Sequence, residues 1–98
     1  MIARLWRARV ADPASGSAEA YLRHFREHVR PALERLAGHR GSQVLTREGE
    51  IIVLTFWDSM EAVRAFAGAD AERAVVEPEA RAVLAEFDDF VRHYEVAP

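Results

Sequence analysis

The 98-residue chain has no cysteine, no lysine and no asparagine. Without cysteine, disulfides and thiol chemistry are excluded, and the redox compartment leaves no trace in the sequence. Without lysine, all 13 basic residues are arginines. They are scattered along the chain, as are the glutamates, and the net charge is −3. That distribution argues against a nucleic-acid partner. No apolar run approaches the ~20 residues of a membrane span. The N-terminus, MIARLWRARV, enters a strand-like pattern with no signal-peptide architecture. The expectation is a cytoplasmic protein with no membrane partner.

Half of the residues are hydrophobic and 30% are charged, ordinary values for a globular chain. The length predicts one domain, residues 1–98, with a modest core. Residues 2–10 put Ile2, Arg4, Trp6, Ala8 and Val10 on one side of a strand and Ala3, Leu5, Arg7 and Arg9 on the other. ADPASGS is a loop by its Pro, Gly and Ser content. Leu22, Phe25, Val29, Leu33 and Leu36 follow helical spacing over 18–37, with Ser15 or Ser17 as cap, Gly38 as stop and Pro31 as a kink. SQVLTR and IIVLTFW predict a hairpin across Glu48-Gly49-Glu50. Asp58 or Ser59 caps a second helix carrying Met60, Val63 and Phe66, and Glu61 completes a capping box with Asp58. AERAVVEPEARAVLAEF reads as further helix broken near Pro78, and 89–96 as a fourth strand. The order β-α-β-β-α-β is an α+β, ferredoxin-like arrangement with a four-stranded antiparallel sheet and helices on one face.

The third strand is apolar on both faces: Ile51, Val53, Thr55 and Trp57 alternate with Ile52, Leu54 and Phe56. A sheet with one solvated face alternates apolar and polar instead. Helices cover only one face, so a large apolar patch remains, and a face-to-face homodimer is the expected cover. Loops or the C-terminal tail are the alternative.

TFWDSMEAVRAFAG, ERAVVEPEA and the ending FVRHYEV resemble the antibiotic biosynthesis monooxygenase family of the dimeric α+β barrel superfamily. The resemblance runs from MIARLWRARV to RHYEV. It implies a pocket between the sheet and the helices of each protomer. One branch is similar to cofactor-free monooxygenases that oxidise aromatic phenols to quinones with O₂, another to haem-degrading monooxygenases. The haem branch implies an Asn on the first strand, an aromatic on the second helix and a His ten residues on as iron ligand. Here these positions give no Asn, Phe66 and Val76. Both departures count against haem degradation, and the missing Asn also weakens the polyketide reading. The Trp ending the third strand, Trp57, matches.

Cofactor-free oxygenation needs a base, a donor for the anion and a dry apolar pocket. Trp57 lines the pocket if its strand face meets the helices, and the dimer interface if it does not; Trp6 has the same two readings. His24 and His28 are neighbours at i, i+4 on the flank of the first helix, with Tyr21 nearby. They edge a pocket or are half-exposed surface residues. HFREH also spells the zinc motif H-x-x-E-H, with no third ligand evident; it is read as a chance match, with no metal. His93 in the last strand is a candidate base or a cross-dimer hydrogen-bonder. Arg4, Arg7 and Arg9 are paired with carboxylates or with a partner chain, or supply an anion-stabilising donor. The functional expectation is a cofactor-independent monooxygenase acting on a small phenolic or quinol-like aromatic. His24, His28 and His93 are its catalytic candidates, and Trp57, Trp6, Tyr21 and Phe66 its binding candidates. The alternative is a non-catalytic dimer of the same fold that binds a small apolar ligand.

Overall fold

The computed structural model describes residues 1–98. Its elements are β1 (Ile2–Arg9), α1 (Ser17–His24), a π-helical turn (Phe25–Val29), α2 (Arg30–Glu34), β2 (His39–Arg47), β3 (Glu50–Trp57), α3 (Met60–Ala67), α4 (Pro78–Arg81), β4 (Glu86–Phe87) and β5 (Arg92–Glu95). All pairings are antiparallel, in the order β2-β3-β1, with β4 and β5 both on the far side of β1. This is the ferredoxin-like order, with its last strand in two pieces. β4 pairs with Ala8 and Arg9, and β5 with Ile2 through Leu5. Between them Asp88 N–H still reaches the Arg7 carbonyl at 2.9 Å, while Phe90 turns out to bridge Arg73.

The β2–β3 hairpin closes where Arg47 pairs with Glu50, leaving Glu48-Gly49 as a two-residue turn. Both have positive φ, 49° and 87°, as a type I′ turn requires. A Cβ at Gly49 would lie 3.2 Å from both Pro13 and Val10, so the turn also packs on the end of β1.

The first helical segment is interrupted where Pro31 predicts. A proline removes one N–H and clashes with the carbonyl four residues back, here that of Glu27. The widened π turn at Phe25–Val29 takes up that misfit, and Pro31 sits in the first turn of α2, where prolines are tolerated. Neither serine caps α1: Gly16 occupies the cap, and Ser15 Oγ instead accepts from Ser17 N–H at 3.2 Å. At α3 the cap is Ser59, whose Oγ accepts from Ala62 N–H at 3.3 Å. Asp58 is held instead by Arg40 in a bidentate pair at 2.6 and 2.8 Å, so the expected box with Glu61 does not form.

The helix expected over 71–87 shrinks to one turn. Glu77, before Pro78, is extended (φ −77°, ψ 152°), because a proline disfavours α geometry in its predecessor. Pro78 therefore starts α4 instead of breaking a longer helix. Residues 71–77 cross the open end of the helical layer as a strap. Ala74 N–H bonds to Asp89 O at 2.8 Å, and Val91 N–H to Glu72 O at 2.7 Å.

Trp6, Ala8 and Val10 of the first strand segment join Ile51, Val53 and Trp57 of β3 on the helix-facing side, where Tyr21, Phe25, Leu33 and Val63 pack over them. Ile51, Trp57 and Val63 have no exposed surface at all. The other face keeps Leu5, Ile52, Leu54 and Phe56 partly open, with Leu45 and Tyr94 nearly half exposed. No helix is long and apolar enough to cross a membrane.

Candidate functional site

A cavity of about 70 Å³ lies between the sheet and the helical layer. Trp6, Val53 and Thr55 form its floor, and Tyr21, His24, Phe25, Val29 and Leu33 its helical wall. Phe25, Val29 and Leu33 step four residues apart across the π turn, so the interrupted helix still presents one apolar stripe. Val75, Val76 and Glu77 of the strap, with Ala80, close the remaining side. Most of the lining is apolar, and the polar groups that reach it are few, the usual composition of a small-molecule site.

One polar group is Arg4. Its alternation with Trp6 on β1 sends it to the helix side, where it is 5% exposed. The guanidinium donates to Ala71 O, to Arg73 O at 3.0 Å and to His93 Nε2 at 3.0 Å, and lies 5.7 Å from the centre of the Phe66 ring. None of these acceptors is a carboxylate. Burial pulls its pKa down to about 10, so the cation persists at neutral pH. His93 is cross-strand partner to Arg4. Burial and then the Arg4 charge hold its pKa below the usual imidazole value, against an opposing pull from Glu72. The neutral ring with Nε2 as acceptor is the form that fits Arg4.

The second polar group is made by His24, Glu77 and Tyr21. His24 Nε2 is buried, makes no hydrogen bond, and lies 3.7 Å from a Glu77 carboxylate oxygen. The Tyr21 ring is 6.4 Å from that of His24 and 6.0 Å from that of Trp6. Burial, reinforced by the Glu77 charge, raises the Tyr21 pKa well above the ordinary phenol range, so Tyr21 is a hydrogen-bond donor at working pH.

Of the residues singled out from sequence, Trp6, Tyr21, His24 and Phe66 meet at this cavity. Trp57 has the expected parity, since its strand face meets the helices, but it is not among the lining residues. It lies one layer back, stacked on Phe66 at 5.3 Å, with its Nε1–H donating to Thr55 Oγ1 at 2.9 Å. His39 meets its edge at 5.2 Å. His93 stands behind Arg4 and is likewise not a lining residue. His28 turns to solvent, its side chain 66% exposed. The rings of His24 and His28 are 5.6 Å apart, but no group of three His, Cys, Asp or Glu side chains is arranged to hold a metal ion. Of the strand arginines, Arg7 pairs with Asp88 at 3.0 Å and Arg9 with Glu50 at 3.8 Å; Arg4 has no such partner. Sequence reasoning left Glu77 and Thr55 out of the site, and gave Arg4 two readings, a paired charge or an anion-stabilising donor, without separating it from Arg7 and Arg9. Arg4 carried a readable signal, because it shares strand parity with Trp6. Glu77 carried none, since its place depends on the strap.

A family model described as antibiotic biosynthesis monooxygenase matches residues 7–78. No curated protein matches the sequence. Among solved structures, the chain is similar to an antibiotic biosynthesis monooxygenase, so named, of Caulobacter crescentus CB15, with 19% identity over 99% of this chain and 90% of that one, and a TM-score of 0.70. It is similar to the haem degrader MhuD of Mycobacterium tuberculosis, solved with two haems in its active site, with 24% identity over 100% and 97% of the two chains and a TM-score of 0.65. It is also similar to the Streptomyces coelicolor monooxygenase from ActVA-Orf6, solved with nanaomycin D, with 18% identity over 70% of this chain and 62% of that one, and a TM-score of 0.58. At these identities the likeness is one of fold.

Proposed function

Because the chain belongs to the antibiotic biosynthesis monooxygenase family, we propose that it oxidises a small phenolic or quinol-like aromatic with O₂ in the cavity beneath α1, without a bound cofactor and as a homodimer. The observation that carries this reading is a buried, unpartnered imidazole nitrogen, His24 Nε2, in the wall of an otherwise apolar aromatic cavity.

His24 Nε2 takes the phenol proton, and Glu77 at 3.7 Å stabilises the imidazolium that results. The protonated Tyr21 hydroxyl donates to the phenolate oxygen. Excluding water keeps the anion electron-rich, so that it reduces O₂ directly. A ring carbon loses its hydrogen and gains one oxygen atom; the second leaves as water. Phenol plus O₂ then gives quinone plus water, and the four electrons come from the substrate. No outside reductant is required.

The fold supports a flat ligand, since relatives are solved with nanaomycin D and with haem. Haem fits this chain poorly, because Val76, which has no donor atom, occupies the position that the resemblance matches to the iron ligand. The cavity of about 70 Å³ is well below the ~300 Å³ of a usual ligand pocket, which favours a one-ring substrate. Oxygen uptake with one-ring phenols and hydroquinones tests the reading. Turnover is expected, and His24→Ala is expected to lower kcat by about 10²–10⁴-fold. No uptake with any of these compounds sinks the reading and leaves a ligand-binding module of the same fold.

A further inference from the structure

Arg4 is a charge without a counter-charge. Buried arginines are ordinarily paired, because an unpaired buried ion forfeits its hydration with nothing in return. Here three of the five guanidinium N–H groups go to two carbonyls and the neutral His93 ring, and the other two have no protein acceptor. The nearby acids are engaged elsewhere: Asp70 faces Arg73 at 3.5 Å, and Glu77 faces His24. Glu72 acts on His93 and makes no ion pair with Arg4 within 4 Å.

The three protein bonds also fix the guanidinium in place. The carbonyls of Ala71 and Arg73 belong to the strap, and His93 to β5, so the cation is held between sheet and cover while still lining the cavity. Along β1, Trp6 packs on Tyr21, while Arg4 packs on Phe66. The cation is therefore one strand repeat away from the group that handles the phenol.

We propose that this cavity selects aromatics that carry a carboxylate in addition to the phenol, with Arg4 as the residue that binds the carboxylate and sets the specificity. The guanidinium offers two free donors and a full charge in an apolar site, where charge-assisted hydrogen bonds are strongest. The inference rests on the cavity being an aromatic-ligand site, but not on turnover.

The probes are 4-hydroxybenzoate and its neutral isostere 4-hydroxybenzamide, titrated anaerobically into the ¹⁵N-labelled protein at pH 7.5. The carboxylate is expected to bind at least about ten-fold more tightly than the amide. Shifts should concentrate on cavity-lining residues. Arg4→Gln should reduce the ratio to less than about two-fold. Because Arg4→Gln also loosens the strap, Thr55→Asp provides an arm that leaves Arg4 in place. Residue 55 is the direct cross-strand partner of Arg4, so an aspartate there supplies an internal counter-ion. It too should erase the preference. Equal affinities in the wild-type protein, a preference that survives either substitution, or no binding of either probe overturns the proposal. A carboxylate preference without oxygen uptake would leave this inference standing and remove the oxidation; uptake with neutral phenols and no carboxylate preference would do the reverse.

Discussion

At the scale of single residues, two histidines and a tryptophan show how neighbours set chemistry. His93 and His39 both have pKa values held below 6.5, each chiefly by burial. A histidine with a depressed folded pKa binds more protons when unfolded. Its contribution is complete above about pH 6.5 and is lost as the pH falls below that value. The urea midpoint should therefore drop between pH 7.5 and pH 5.5, and His93→Gln should reduce that drop. An unchanged pH dependence in the variant would show that His93 is not one of the titrating groups. Trp57 is fully enclosed, and its indole N–H is satisfied by Thr55. Trp57→Phe removes that bond and leaves a gap beside Phe66, and should cost about 1–3 kcal/mol in chemical denaturation. The sequence exposed Trp57 as a feature of family and parity. It did not show that Phe66 and Thr55 stand between it and the cavity, because that depends on where α3 lands on the sheet.

At the scale of elements, the turn at Gly38 decides how α3 docks. Gly38 has φ +84°, and a Cβ there would lie 2.5 Å from Ala62 Cβ in α3. Its carbonyl accepts from Asp58 N–H at 2.8 Å, just before that helix starts. Gly38→Ala combines left-handed backbone strain with a collision, and should destabilise the protein by about 2–4 kcal/mol. A variant as stable as the parent would mean that α3 can shift without loss. Period-two and period-3.6 patterns revealed β1, β3, α3 and the first helical segment. They failed between residues 71 and 87, where alanines, valines and glutamates satisfy helical spacing but the chain is drawn into a strap. There the bonds to Asp89 and Phe90, which are remote in pattern from that stretch, override local preference.

At the scale of the whole molecule, the outer sheet face is apolar and only partly covered. Leu5, Ile52, Leu54 and Phe56 lie side by side across β1 and β3, with Leu45 of β2 beside Ile52. This face is where the proposed homodimer would close. With a chain mass of 11.0 kDa, light scattering at micromolar concentration should report about twice that value. Leu54→Asp should shift the mass to that of the single chain while the fold persists by circular dichroism. A parent protein that is monomeric under these conditions would show that the sheet face serves something other than a twofold partner.

The sequence by itself determined the order of elements from β1 to α3, the antiparallel sheet, the strand faces and the excluded chemistries. Each follows from local rules: alternation fixes which side a strand residue takes, proline and glycine fix where helices and turns stop, and an absent cysteine cannot act. Only the tertiary structure decided which of the candidates meet. His24 gained Glu77 from a strap whose course no periodicity encodes, and His28, one turn further on, was left in water. Arg4 became a buried cation because two carbonyls of the same strap and a histidine from the last strand closed around it. A site assembled from residues 4, 24, 55 and 77 depends on long-range closure of the chain, and long-range closure is the information that a sequence pattern does not contain.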